Sequence, residues 1–233
     1  MIANNTIICI AVGAGLIGFA WFLRLVWTKN IKSSEGWAGF FGVVGLILAV
    51  MGFATTIMWP YGGAPFEYAN IAFGEPAAVF GALLLFAAVY LWRNRQLFAS
   101  DAAADVKKMR DEVQQALKPV AIFVFIAGLM MAALAMSWIR FQNGAAPEEE
   151  PISGLFHAMP IVEALFLFAL WAITAVGCLV FPWALSSKRG KLRQVVISTW
   201  IIAGVIFAGF GALNFYTHIG MFTNINKGTH YRI

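Results

Sequence analysis

The stretch NIAFGEPAAVFGALLLFAAVYLW, Asn70–Trp92, decides the fold. From Ile71 to Trp92 it is almost wholly apolar and long enough to cross a hydrocarbon core roughly 30 Å thick, which takes about 20 helical residues. Five more runs of this kind flank it, approximately Ile7–Trp27, Trp37–Trp59, Pro119–Ile139, His157–Leu179 and Val195–Tyr216. The composition agrees: 61% of the 233 residues are hydrophobic and 12% are charged, against about 25% charged in soluble domains. Inside a bilayer each backbone polar group needs a partner within the chain, so runs rich in Leu, Ala, Phe and Gly read as helices. The alternating pattern of a membrane barrel is absent. The expected fold is all-α, a single integral membrane domain over residues 1–233 with six transmembrane helices.

The charges orient it. Thirteen of the 16 Lys and Arg fall on one side: Arg24, Lys29 and Lys32 at the first connection, six between Arg93 and Lys118, and four between Lys188 and Arg193. Arg140, Lys227 and Arg232 are left for the other side. The positive-inside rule then places the three basic connections in the cytoplasm and both termini outside. The net charge of +5 is thus a topology signal, and no nucleic-acid partner is expected. The first run lacks a basic leader and a small-residue cleavage site, so it reads as a retained span. Trp27, Trp37, Trp59, Trp92 and Trp138 stand at span ends, where an amphipathic ring suits the headgroups. Cys9 and Cys178 lie in apolar runs and read as small buried hydrophobes.

Between spans three and four, residues 93–118 form a cytoplasmic amphipathic connection. In SDAAADVKKMRDEVQQALK, Ser100–Lys118, the residues Val106, Met109, Val113 and Leu117 recur at helical spacing. Ser100 or Asp101 caps its start and Pro119 marks its junction with the fourth span. It lies along the headgroups, continues the fourth span, or docks a partner subunit. Small residues four apart (Ala11 and Gly15, Ala14 and Gly18, Gly45 and Ala49, Gly204 and Ala208) let helices approach closely, within the chain or between chains. A loose echo links Met58–Ala88 with Ser137–Ala172. Each runs from a Trp-ended span through a Gly-Ala-Pro loop to a Pro-opened span.

The residues Trp59 and Pro60, then Asn70, Ile71, Phe73, Gly74, Glu75 and Pro76, then Phe80 and Gly81, form a W-P…N-I-x-F-G-E-P stretch. Over Thr56–Ala88 it resembles a family of uncharacterised bacterial and archaeal multi-pass membrane proteins. The resemblance implies a membrane fold and location, and no catalytic residue.

Function has to be sought among polar groups near the outer rim. Glu75 sits one turn into its span beside Pro76, where a carboxylate faces free backbone N–H groups and the positive end of the helix dipole. Glu163 lies about 9 Å deeper along its helix than His157, and an ionisable group at such depth turns inward and is paired, or is kept neutral by a raised pKa. Asn214 and His218, four residues apart, share a face of the sixth span. Glu75, His157, Glu163, Asn214 and His218 are therefore the candidate polar cluster. It reads as interhelical glue, as a copper or zinc site supplemented by methionines, or as part of an ion path. No HxH, HxxxH or MxxM spacing supports a metal, so no cofactor is expected. The inner half offers only Thr174, Ser198, Thr199 and the terminal Arg24 to an ion path. No GxSxG, Walker loop, GxGxxG before a helix or HExxH is present. The leading expectation is a non-enzymatic, multi-pass protein of a prokaryotic plasma membrane. It would serve as accessory or structural subunit of a larger respiratory or oxidase-type complex, with lipid, membrane proteins or a second copy as partners. A small transporter or metal-handling protein built on the His/Glu cluster is the alternative.

Overall fold

A computed structural model describes residues 5–28, 31, 33–58, 68, 70–99, 103–185 and 190–229. Lys29, Lys32, Trp59, Pro60, Ser100, Asp101, Lys188 and Arg232, all used above, lie outside the described residues. Among the described residues six helices are long and apolar enough to cross a membrane: α1 (Asn5–Thr28), α2 (Glu35–Ile57), α3 (Glu75–Arg93), α4 (Ala103–Phe141), α5 (Pro160–Ala184) and α6 (Gly190–Lys227). No strand occurs among the described residues. The chain is a six-helix membrane bundle.

The helices pair as α2 with α3, α4 with α5, and α1 with α6, while α5 also packs on α6 and α1 on α2. Their order around the bundle is therefore α4, α5, α6, α1, α2, α3, an open ring in which α3 and α4 barely touch. Glycines set the tight pairs, because a missing side chain lets backbones meet. A Cβ on Gly13 of α1 would stand 2.6 Å from the Gly204 carbonyl oxygen of α6, and one on Gly45 of α2 would stand 3.0 Å from that of Gly81 on α3. The small pairs Gly204/Ala208 and Gly45/Ala49 thus serve contacts within this chain. Gly15 and Gly18 instead receive aromatic rings, Phe80 and Phe40.

The structure corrects three boundary readings. Pro119 marks no junction: α4 runs unbroken through it from Ala103 to Phe141. The ring clashes with the carbonyl of residue 115 and leaves it unbonded, but Gln115 and Pro119 are both exposed where solvent can satisfy it. Met109 and Val113 are buried in one cluster with Leu91 and Phe98, so the amphipathic segment continues α4 and packs into the bundle at its basic end. Trp138 is no belt residue. It is 1% exposed and packs edge-on to Tyr68 and Trp171. His157 does not open the fifth span, since α5 begins at Pro160, a residue suited to the first helical turn. His157 ends a short 3-10 turn, Ser153–Phe156.

The entry to α3 is also irregular. Asn70–Gly74 forms one π-helical turn, and the fully buried Asn70 amide donates to the Thr55 carbonyl of α2. Gly74 then meets Thr55 and Thr56. This π-turn is anchored to α2 and carries Tyr68 and Phe73 towards the bundle interior.

Candidate functional site

At the end of the bundle where α1 begins and α6 ends, the loop between α4 and α5 folds over α6. Its glutamates give this end its acidic character. The side of α6 facing the loop carries Asn214, Thr217, Met221 and Asn224, spaced three and four apart and all buried. Three contacts strap the loop down. The Asn224 amide donates to the Glu149 carbonyl at 2.7 Å, the Thr217 hydroxyl donates to Glu150 Oε1 at 2.6 Å, and Pro151 fills the space above Gly220. Glu150, the last of three consecutive glutamates, is thereby 7% exposed, whereas Glu148 stays in the open. His218 Nε2 lies 3.8 Å from the same Glu150 oxygen.

A second anchor comes from α5. Glu163, in the first turn, accepts the Ala146 backbone N–H at Oε2, 2.8 Å away. The carbonyl of that same residue meets His157 Nδ1 at 2.8 Å. Glu163 and His157 therefore grip one loop residue from both sides and fix the loop's near half as α6 fixes its far half. Between them Pro151–Ser153 makes a tight turn: Ser153 N–H donates to the Pro151 carbonyl at 2.8 Å, and Ile152 has φ 68° and ψ −68°. That is the strained γ-turn conformation, and a β-branched residue with positive φ is held there only by its surroundings.

Together these elements enclose a cavity of about 390 Å³. Glu150, Glu163, Asn214, His218, Tyr68 and Asn5 supply its main polar groups, over an apolar floor that includes Leu167 and Phe210. No Lys or Arg lines it among the described residues. Three polar atoms on this lining are buried and meet no partner among the described residues: Asn5 Oδ1, Glu163 Oε1 and His218 Nδ1. The first accepts hydrogen bonds, the second accepts while its carboxyl is ionised, and the third accepts in one tautomer of the ring. The chamber thus presents acceptors in excess. Burial raises the Tyr68 phenol to about 12, with the Glu163 charge adding to the rise, so Tyr68 stays a neutral wall of the chamber.

Of the five candidates read from the sequence, Glu163, Asn214 and His218 line this one cavity. His157 touches it indirectly through Ala146. Glu75 stands apart, exposed in the first turn of α3, and is not part of this lining. Sequence reasoning missed Glu150, Thr217, Tyr68 and Asn5. Thr217 alone carried a usable signal, lying three residues from Asn214 on the same face of α6. Among the described residues no three of His, Cys, Asp and Glu converge as a metal-binding group.

The fold and this rim chamber define a polytopic helical membrane protein with a polar cavity at one end. Residues 1–221 match the family model described as a protein of unknown function, DUF981, and the chain belongs to that family. No curated protein and no solved structure matches it.

Proposed function

We propose that the protein is a non-enzymatic membrane binding protein whose rim chamber receives a small, donor-rich solute, an amine above all. One observation carries this reading: two carboxyl groups and a surplus of unpartnered acceptors face a single cavity whose described lining has no Lys or Arg. A buried acceptor left unmet costs about 1–3 kcal/mol, and a buried carboxylate without a counter-charge costs more. A protonated amine offers three donors and a positive charge, and so meets both needs at once. With the basic connections in the cytoplasm, as the charge bias requires, the chamber opens to the outside of a plasma membrane. The strained turn at Ile152, on the chamber wall, fits a loop held in shape for binding.

Binding without passage is the better-supported mode. Beneath Leu167 and Phe210 the interior is apolar, Trp171, Phe181, Trp200 and Phe207 walling a cavity of about 130 Å³, so a hydrated solute would leave its partners behind to go further. That dry interior also favours service as accessory subunit of a larger membrane assembly over service as a carrier. Co-migration of stoichiometric partners after gentle-detergent purification tests the assembly role. A thermal-shift panel tests the chamber: ethanolamine and methylamine should raise the melting temperature in proportion to occupancy, and acetate should not. Equal shifts from amines and acetate would remove the reading.

A further inference from the structure

The rim chamber carries two carboxyls, and each is fixed by its own anchor. Glu163 stands in the first turn of α5 and holds the Ala146 N–H at Oε2, 2.8 Å away, while its buried Oε1 meets no partner. Glu150 comes from the loop, and the Thr217 hydroxyl of α6 fixes its Oε1 at 2.6 Å. Neither carboxyl is neutralised by a neighbour on the lining. No Lys or Arg lines the chamber among the described residues, and His218 is its one basic side chain. An imidazole of ordinary pKa, about 6.5, is neutral near pH 8. Under that condition the lining holds two negative charges and no positive one.

A single ammonium can balance only one of them. The other carboxylate would stay charged and without a counter-ion in a largely apolar enclosure, which is costly. Size points the same way. The chamber, about 390 Å³, is more than ten times the roughly 30 Å³ share of one water, so an ammonium group alone leaves most of it empty. Its remaining surface is divided in kind. Leu167, Phe210 and Leu213 offer an apolar floor, while Asn214, 3% exposed, adds an amide with no hydrogen-bonding partner among the described residues. A ligand with two cationic ends and a short aliphatic middle fits that division: the ammonium groups meet the carboxyls and the methylenes cover the floor.

We propose that the chamber's ligand is a short α,ω-diamine, one ammonium at Glu163 and the other at Glu150. This rests on the amine reading of the chamber and adds the second charge to it.

The test is calorimetric titration of the purified full-length protein in detergent, near pH 8 so that His218 is neutral. Three probes of equal chain length are compared: putrescine, a four-carbon diamine; aminobutanol, which keeps a second donor without its charge; and butylamine, which has neither. Putrescine should bind at least tenfold more tightly than the other two. Glu163→Gln should weaken all three, and putrescine by at least tenfold more than aminobutanol, because only the diamine loses a whole ion pair. A melting curve of the variant reports that it is folded. Equal affinity of putrescine and aminobutanol for wild type, or a preference that survives intact in folded Glu163→Gln, overturns the diamine proposal while the amine reading stands. If none of the three binds wild type, both fall.

Discussion

The two ends of the bundle handle polar groups in opposite ways. At the basic end the described polar side chains complete the backbone. Arg193 Nε donates to the Ala184 carbonyl at 3.1 Å, Gln114 donates to Leu185, and Asn94 donates to Tyr90 at 2.8 Å. Ser34 reaches Leu91 at 3.1 Å. The acceptors lie at the C-terminal ends of α3 and α5, where a helix leaves carbonyls without intrahelical partners, and the Arg193 cation also suits the negative end of the α5 dipole. The guanidinium stacks on Trp27 at 5.0 Å, so little of it is left for a ligand. At the acidic end the helices are also stitched to their loop, yet acceptors remain over and face a cavity. Charge near a membrane rim therefore says little by itself. What separates scaffold from site is whether the unpartnered groups face a shared cavity.

Substitutions at the two ends should separate those roles. The largest effect belongs to Glu150. Glu150→Ala strips Thr217 of its acceptor and removes the carboxylate beside His218, and should lower stability by about 1–3 kcal/mol as well as abolish amine binding, read by denaturation in detergent and by titration. Next comes the chamber without its strap: Glu163→Gln should weaken amine affinity about tenfold, or ~1.4 kcal/mol, while an amide oriented to accept from Ala146 preserves the fold. If affinity is unchanged, the acceptor surplus is irrelevant to binding. Arg193→Ala, at the other end, should destabilise by about 1 kcal/mol, the usual bond to a charged donor discounted for partial exposure, and leave amine affinity untouched. Reduced affinity in that variant would erase the distinction between the ends.

One further effect appears only at high pH. Tyr68 is raised by burial, and then by Glu163, from 10.0 to about 12. The folded chain therefore holds this proton over an interval in which the unfolded chain has lost it, so stability must fall as pH rises through that interval. Tyr68→Phe should flatten the loss between roughly pH 10 and 12. An identical slope in both proteins would place Tyr68 in water.

Much of this was legible in the chain, for physical reasons that differ by residue. The six spans follow from hydropathy because lipid leaves the backbone no other solution. Glu163 announced itself by depth, and Asn214 with His218 by helical spacing. Glu150 did not. Three glutamates in a row between prolines read as a solvated loop, and only the fold shows that Thr217 and Pro151 draw the third of them inside. Tyr68 sits before a π-turn that no periodicity signals, and Asn5 joins the chamber because α1 pairs with α6 at the far end of the sequence. Trp138 misled by position: it ends a span, yet the Tyr68–Trp171 cluster needs its bulk in the core. The family resemblance around Glu75 pointed to the right class of protein and to a residue outside the chamber.

Everything turns on whether the acceptor surplus binds donors. Isothermal titration of ethanolamine into wild type and into Glu150→Gln, in the same detergent, asks this directly. Saturable binding to wild type, weakened tenfold or more in the variant while Thr217 keeps its hydrogen-bonding partner, is the expected result. No heat from wild type, or equal affinity in both, would make the chamber a packing defect sealed by a loop.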